Sequence, residues 1–91
     1  MNLTVNRETD AMRHFSSEAY ALADEMDDIA SRMTQLVYDA SDHMQDNSGR
    51  EAISIIEELI EEIRISAAKL YDIGKRVQAS AVLLEEADTM L

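Results

Sequence analysis

From Met12 to Ala40 apolar residues recur at alternating steps of three and four: Met12, Phe15, Ala19, Leu22, Met26, Ile29, Met33, Leu36 and Ala40. A second series begins beyond Asp46-Asn47-Ser48-Gly49 and runs through Ile53, Ile56, Ile60, Ile63, Ala67, Leu70, Gly74, Val77, Ala81 and Leu84. This alternation averages about 3.5 residues, the repeat that keeps one face of a helix against a neighbouring helix over many turns. The pattern predicts an all-α chain built as an antiparallel two-helix hairpin. Its single domain spans 1–91, with one helix over about 7–45, a turn at 46–49 and a second helix over about 50–90. Each helix would be about 60 Å long at 1.5 Å per residue.

Local signals place the ends. Asn6 or Thr9 can cap the first helix through a side-chain oxygen. Ser48-Gly49-Arg50-Glu51 has the form of a capping box, in which Ser48 accepts from the Glu51 amide and the Glu51 carboxylate answers the Ser48 amide. Asn47 tolerates the left-handed conformation that often closes a helix. The hinge therefore comprises Asn47, Ser48, Gly49 and Glu51. Folding the chain back there pairs residues whose numbers total about 96, a register read from the heptads. That register sets Phe15 opposite Ala81, Ala19 opposite Val77, Leu22 opposite Gly74 and Ile29 opposite Ala67. Large residues then meet small ones in successive layers. The intramolecular seam is expected to hold Leu22, Ile29, Ile63, Leu70 and Gly74. Gly74 costs its helix about 1 kcal/mol relative to Ala, and close helix approach is the reason expected for it.

The apolar stripe is wider than one seam needs. Ala23, Ala30, Val37 and Met44 form a second row on the first helix, and Ala52, Leu59, Ile73 and Ala87 broaden the second. Ile55, Ile65, Val82, Leu83 and Met90 lie off the main stripe. A lone hairpin encloses little core. The economical completion is a four-helix bundle formed by dimerisation with itself or a related hairpin. Ala30, Val37, Ile55, Leu59 and Ile73 are the residues expected to face that partner.

Composition narrows the function classes. The 91 residues include no Pro, Cys or Trp and only two Gly, with 46% hydrophobic residues. Such a chain lacks the punctuation of an all-β fold and the polarity of a disordered one. The absence of Cys excludes disulfides and thiolate metal sites and fits synthesis in the cytoplasm. No run of about 18 uncharged apolar residues is present, so no membrane span is expected. The N-terminal Met1-Asn2-Leu3-Thr4-Val5 lacks the pattern of a cleavable signal peptide. A net charge of −11 opposes binding to nucleic-acid phosphates and suits either a solvated surface or a basic protein partner.

The same residues offer little for catalysis. There is no phosphate loop, thiol nucleophile or serine elbow, so no catalytic residue and no cofactor is assigned. His14 and His43 are the only imidazoles, and neither follows an acid by three residues as helical metal motifs require. His43 is expected in a part-buried polar layer near the hinge, and His14 at the surface beside Glu18. Asp24-Glu25 with Asp27-Asp28, and Glu57-Glu58 with Glu61-Glu62, repeat like charges at helical spacing. They lack the loop of a calcium site, while Met26, Leu59 and Ile60 hold the inward phase, so a solvated face is expected and no metal. Tyr20, Tyr38 and Tyr71 lie off the inner seam, positions that suit either an interface rim or an ordinary boundary.

A helical hairpin of this length, without Pro or Cys and with Gly49 opening the second helix, resembles the WXG superfamily of small type VII secretion proteins. The family's Trp-x-Gly hinge corresponds to Asn47-Ser48-Gly49, with Asn in place of Trp. In that respect the chain is most similar to the Trp-less helical partners of LXG toxins. The resemblance implies a secretion substrate or adaptor that pairs with a helical partner, such as the N-terminal domain of such a toxin, and supports its export. It also implies secretion without a cleavable signal peptide. The family's export signal, an aromatic followed four residues later by an acid, has its degenerate counterpart in Leu84 and Asp88. Tyr20–Asp24 and Tyr38–Asp42 match the spacing on the first helix. The alternative is an unrelated acidic helical scaffold or regulatory protein that docks a basic protein partner.

Overall fold

With no proline and few glycines to interrupt either apolar series, both segments fold as continuous helices. The computed structural model describes residues 3–90, in which α1 spans Leu3–Ser41 and α2 spans Asn47–Met90. The two run antiparallel: Arg13 bonds Glu85 near one end, and Arg64 reaches Thr34 toward the other. The all-α hairpin is the fold that the periodicity predicts. It measures 68 × 14 × 13 Å, with a radius of gyration of 20.2 Å. A compact chain of this length would have a radius near 12 Å.

The ends of the helices differ from expectation. α1 begins at Leu3 and runs through Asn6 and Thr9, so neither is its cap. The Thr9 hydroxyl instead donates back to the Asn6 carbonyl from inside the helix. α1 stops at Ser41, where the amides of His43 and Met44 turn to the carbonyls of Ala40 and Ser41, tighter three-residue bonds that close the last turn. No described residue has a positive φ, so Asn47 is not a left-handed stop.

The cap of α2 is Asp46, not Ser48. Its Oδ1 accepts the Gly49 amide at 2.6 Å, and its carbonyl accepts the Arg50 amide at 2.9 Å. Asn47, Ser48 and Gly49 thus form the first turn of α2, about three residues earlier than the predicted start. Gly49 is buried there because the chain leaving Met44 passes directly over it. A Cβ at residue 49 would lie 2.8 Å from both the Met44 carbonyl oxygen and Asp46 Oδ1. The expected box between Ser48 and Glu51 is displaced because Asp46 already answers the exposed amides. The Arg50 guanidinium secures the turn by donating from Nε to the Gln45 carbonyl at 2.8 Å.

The seam contains small residues. On α1 the buried heptad row is Thr9, Ser16, Ala23 and Ala30; on α2 it is Ile60, Ala67, Gly74 and Ala81. The Ser16 hydroxyl lies 2.9 Å from the Gly74 carbonyl oxygen and 3.0 Å from that of Met12. Stepping by heptads from Ser16–Gly74 sets Thr9 opposite Ala81, Ala23 opposite Ala67 and Ala30 opposite Ile60. Among the described residues, five of the six buried hydrophobic residues are alanines, the sixth is Ile60, and no large side chain is fully buried.

The predicted layers are therefore corrected on α1. Gly74 meets Ser16, Ala19 and the Tyr20 ring, not Leu22. Leu22 and Ile29, expected in the seam, are 49% and 46% exposed. The predicted α2 stripe holds: Ala67, Gly74 and Ala81 are buried, and Ile63, Leu70 and Val77 are half-buried. The physical reason is separation. Two helices touching through Ala, Ser and Gly approach too closely to leave room for Leu or Phe between them.

Candidate interaction face

The two long sides of the hairpin have opposite characters. On one side polar groups latch the helices across the edge of the seam. The Arg13 guanidinium grips Glu85 through two of its nitrogens, Nε at 2.9 Å and Nη2 at 2.7 Å. Tyr20 donates to Gln78 at 2.9 Å and packs its ring on Tyr71 with centroids 4.8 Å apart. Lys75 sits 5.9 Å from the Tyr71 ring centre. Hydrogen bonding to Arg13 holds the Glu85 carboxyl below the usual carboxylate range, and the same bond raises the Arg13 guanidinium. Both groups remain open to water, so this pair orients the helices more than it stabilises them.

The other side is apolar and open. Each large residue of the α1 outer row precedes a small seam residue by one position: Phe15 before Ser16, Leu22 before Ala23, Ile29 before Ala30. Leu59 and Ile73 stand in the same relation to Ile60 and Gly74 on α2. In antiparallel helices of equal hand, these two rows turn toward the same side of the hairpin. Two shallow grooves follow the α1 row. Phe15, Leu22 and Leu70 line one shallow groove, with Glu18 and Glu25 at its margin. Met33, Leu36, Val37 and Met44 line a second with Ile53 and Ile56. Phe15, Leu36, Leu59 and Ile73 are 47%, 67%, 45% and 46% exposed. Isolated exposed apolar residues are ordinary, but a continuous apolar face along a hairpin is the mark of a contact surface.

Of the residues expected to face a partner, Leu59 and Ile73 lie on this face. Ile55 is 60% exposed one turn before Leu59, and Val37 is half-buried at the edge of the groove. Ala30 is not partner-facing. It is completely buried between the helices, because the row taken for a widening of the stripe is the seam itself. Sequence reasoning missed Phe15, Leu22, Ile29 and Leu36 as face residues, having placed them inside. One signal for them was present: the heptad row of small residues at Ser16, Ala23 and Ala30 matches the equally spaced Ala67, Gly74 and Ala81 on α2.

The remaining candidates fall elsewhere. Asn47, Ser48 and Glu51 are exposed in the first turns of α2, and Gly49 is buried beneath the incoming chain. Leu84, 36% exposed, and Asp88, half-buried, stand one turn apart near the end of α2. His43 is exposed, not part of a buried layer, because α1 ends before it; His14 is exposed as expected. Both acidic clusters are exposed, and Asp28 pairs with Arg32 at 2.7 Å one turn along the helix. Among the described residues no three acidic or imidazole groups converge to hold a metal ion, and no helix is long and apolar enough to cross a membrane. Comparison with family models, with curated proteins and with solved structures finds no match.

Proposed function

We propose that this protein is a non-enzymatic helical pairing module, which works by burying its open apolar face against another helical hairpin to complete a four-helix bundle. The observation that carries this reading is the inversion of side-chain size. Apart from Thr9 and Ile60, the buried seam is alanine, serine and glycine, while Phe15, Leu22, Ile29, Leu36 and Ile73 stand about half in water or more. A chain with that distribution has placed its largest apolar area where only a partner can cover it.

Within this reading, the role we assign is that of a small type VII secretion substrate or adaptor. It would pair with a helical partner such as the N-terminal domain of an LXG toxin and accompany its export. Support comes from the two-helix hairpin of this length, the buried Gly49 at its bend and the unpartnered face. Leu84 and Asp88, one turn apart near the end of α2, are the positions proposed to present the export signal.

The test is size and mass measurement of the purified chain, alone and mixed with helical domains of toxins encoded beside its gene. A stoichiometric complex that is lost in Leu22→Asp and Ile73→Asp variants, both still fully helical, supports the pairing role. A helical monomer that forms no complex with itself or with those domains refutes it.

A further inference from the structure

We infer that the bend end of the hairpin carries a separate binding site, on the latch flank opposite the apolar face, for a primary ammonium group on an apolar stem. The site is independent of the pairing role, because this flank stays open when the apolar face is covered. Three observations carry it: an open rung in the polar latch, the cavity beside that rung, and the chemistry of its rim.

The latch repeats by heptads. From Arg13–Glu85, steps of seven along both helices give Tyr20–Gln78, Asp27–Tyr71, Thr34–Arg64 and Ser41–Glu57. Hydrogen bonds close the Arg13, Tyr20 and Thr34 rungs at 2.7, 2.9 and 3.4 Å. At the last rung the Ser41 hydroxyl donates instead to the Tyr38 carbonyl at 2.9 Å. Among the described residues no group bonds the Glu57 carboxylate. The seam supplies the reason. Beside the first rungs it is built from Ser16, Gly74 and Ala81, and beside the last from Val37, Ile53 and Ile60, which need more room between the helices.

The space left there is a cavity of about 420 Å³. Ile60 is buried and Val37 and Ile53 are half-buried, so these three form its apolar floor. Thr34, Tyr38, Ser41 and Glu57 form its rim. The volume lies near the lower end of small-ligand pockets, whose usual lining is an apolar floor with a few convergent polar groups. Val37 and Ile53 also line the groove on the opposite side, so they wall this cavity off from the apolar face.

The rim accepts hydrogen bonds and donates few. The Thr34 and Ser41 hydroxyl protons are committed to the carbonyls of Ala30 and Tyr38, at 2.8 and 2.9 Å, leaving lone pairs for a ligand. Glu57 accepts only, and Glu58 and Glu61 beside it on α2 repel an anion. An ammonium, with three donors and no acceptor, is the complementary head group. The Tyr38 ring, 75% exposed, adds an aromatic face. Tyr71 already has Tyr20 and Lys75 against its ring, whereas among the described residues Tyr38 has neither a ring nor a cation. The chain's own nearby cations are held elsewhere. Arg50 and Arg64 each lie one heptad, about 10.5 Å, from Glu57, bonded to the Gln45 carbonyl and to Thr34. An apolar stem behind the ammonium would displace water from Val37, Ile53 and Ile60.

The experiment is a methyl-detected NMR titration of the wild-type chain with n-hexylammonium, hexan-1-ol and hexanoate, which share a stem and differ in head group. Hexylammonium should move the Val37, Ile53 and Ile60 methyl signals saturably, leave those of Leu22 and Ile73 in place, and bind about tenfold more tightly than the alcohol. Hexanoate should not bind. Glu57→Gln should weaken hexylammonium about tenfold and Tyr38→Leu about two- to fivefold, both variants keeping their helical circular dichroism. Glu58→Gln, the same charge change outside the cavity, should leave binding unaltered. Nα-acetyl-lysine amide, titrated in parallel, separates two sources of the group. Binding by either amine supports the site, and the tighter one identifies the source as a free amine or a protein side chain. The alcohol or hexanoate binding as tightly as hexylammonium, shifts centred on Leu22 and Ile73, or an equal loss in Glu58→Gln overturns the site. So does the absence of any saturable shift with both amines.

Discussion

Replacing Ala30 by leucine separates two accounts of the same residue. If the row of Ala23, Ala30 and Val37 faced a partner, a larger apolar side chain at residue 30 would leave the hairpin intact and extend its contact surface. In the structure Ala30 has no exposed surface and lies one heptad along the seam from Ala23. Leucine adds three carbons, whose burial is worth about 2.4 kcal/mol where space exists for them. No such space exists between helices spaced by alanine, so the helices must separate or the side chain must leave its rotamer. Overpacking of this kind costs about 1–3 kcal/mol. Taking about 2 kcal/mol, the melting temperature should fall by roughly 8–16 °C in a domain of this size. Leu36→Ala is the control, since Leu36 is 67% exposed and its truncation should cost the isolated hairpin less than about 1 kcal/mol. Helical circular dichroism followed on heating gives both values. Repeating the melts over a hundredfold concentration range separates hairpin stability from association, whose contribution grows with concentration. An Ala30→Leu chain that melts at or above the wild-type temperature in dilute solution would refute the close seam.

Other outcomes follow from the turn and the latch. Asp46→Ala should cost about 1 kcal/mol by removing the acceptor for the Gly49 amide, while Ser48→Ala should be nearly silent in the same urea titrations. Gly49→Ala should destabilise by about 1–3 kcal/mol despite alanine's better helix propensity, because the added methyl meets the Met44 backbone. Gly74→Ala should be milder, since its methyl meets the Tyr20 ring at 3.0 Å, a side chain that can turn aside. The Glu85 carboxyl is lowered in the folded chain, so its contribution is complete above the ordinary glutamate value of about 4.3 and fades as pH falls through the lowered value. Carbon-detected NMR titration should therefore find Glu85 protonating below the ordinary glutamate range, and Arg13→Ala should return it to that range.

Legibility varied along the chain for physical reasons. On α2 the predicted stripe and the observed seam coincide, because Ala67, Gly74 and Ala81 leave only one narrow row for contact. On α1 two neighbouring rows compete, and hydrophobicity favours the one holding Phe15, Leu22 and Ile29. The row that packs is Ser16, Ala23 and Ala30, together with Ala19 from the predicted stripe. The bend was placed within a few residues, but its cap was assigned to Ser48, since a capping-box pattern carries no record of the chain crossing above Gly49. Of the expected partner-facing residues, Leu59 and Ile73 reached the open face because they lie outside any seam that α2 could form. Ala30 did not, because on α1 the row of Phe15, Leu22 and Ile29 gave way to the neighbouring row of Ser16, Ala23 and Ala30, while the predicted Ala19 stayed buried and Met12, Met26 and Met33 half-buried.

By itself the sequence determined the two helices, the bend near Gly49, the stripe on α2 and the excess of apolar surface. Each follows from periodicity, and periodicity belongs to one helix at a time. Which α1 row turns inward belongs to the pair. It depends on how closely the backbones approach, and that distance exists only once both helices are present. At the spacing permitted by Gly74, Ala67 and Ala81, only small residues such as alanine, serine and threonine fit opposite, so the larger apolar side chains are displaced onto the open face.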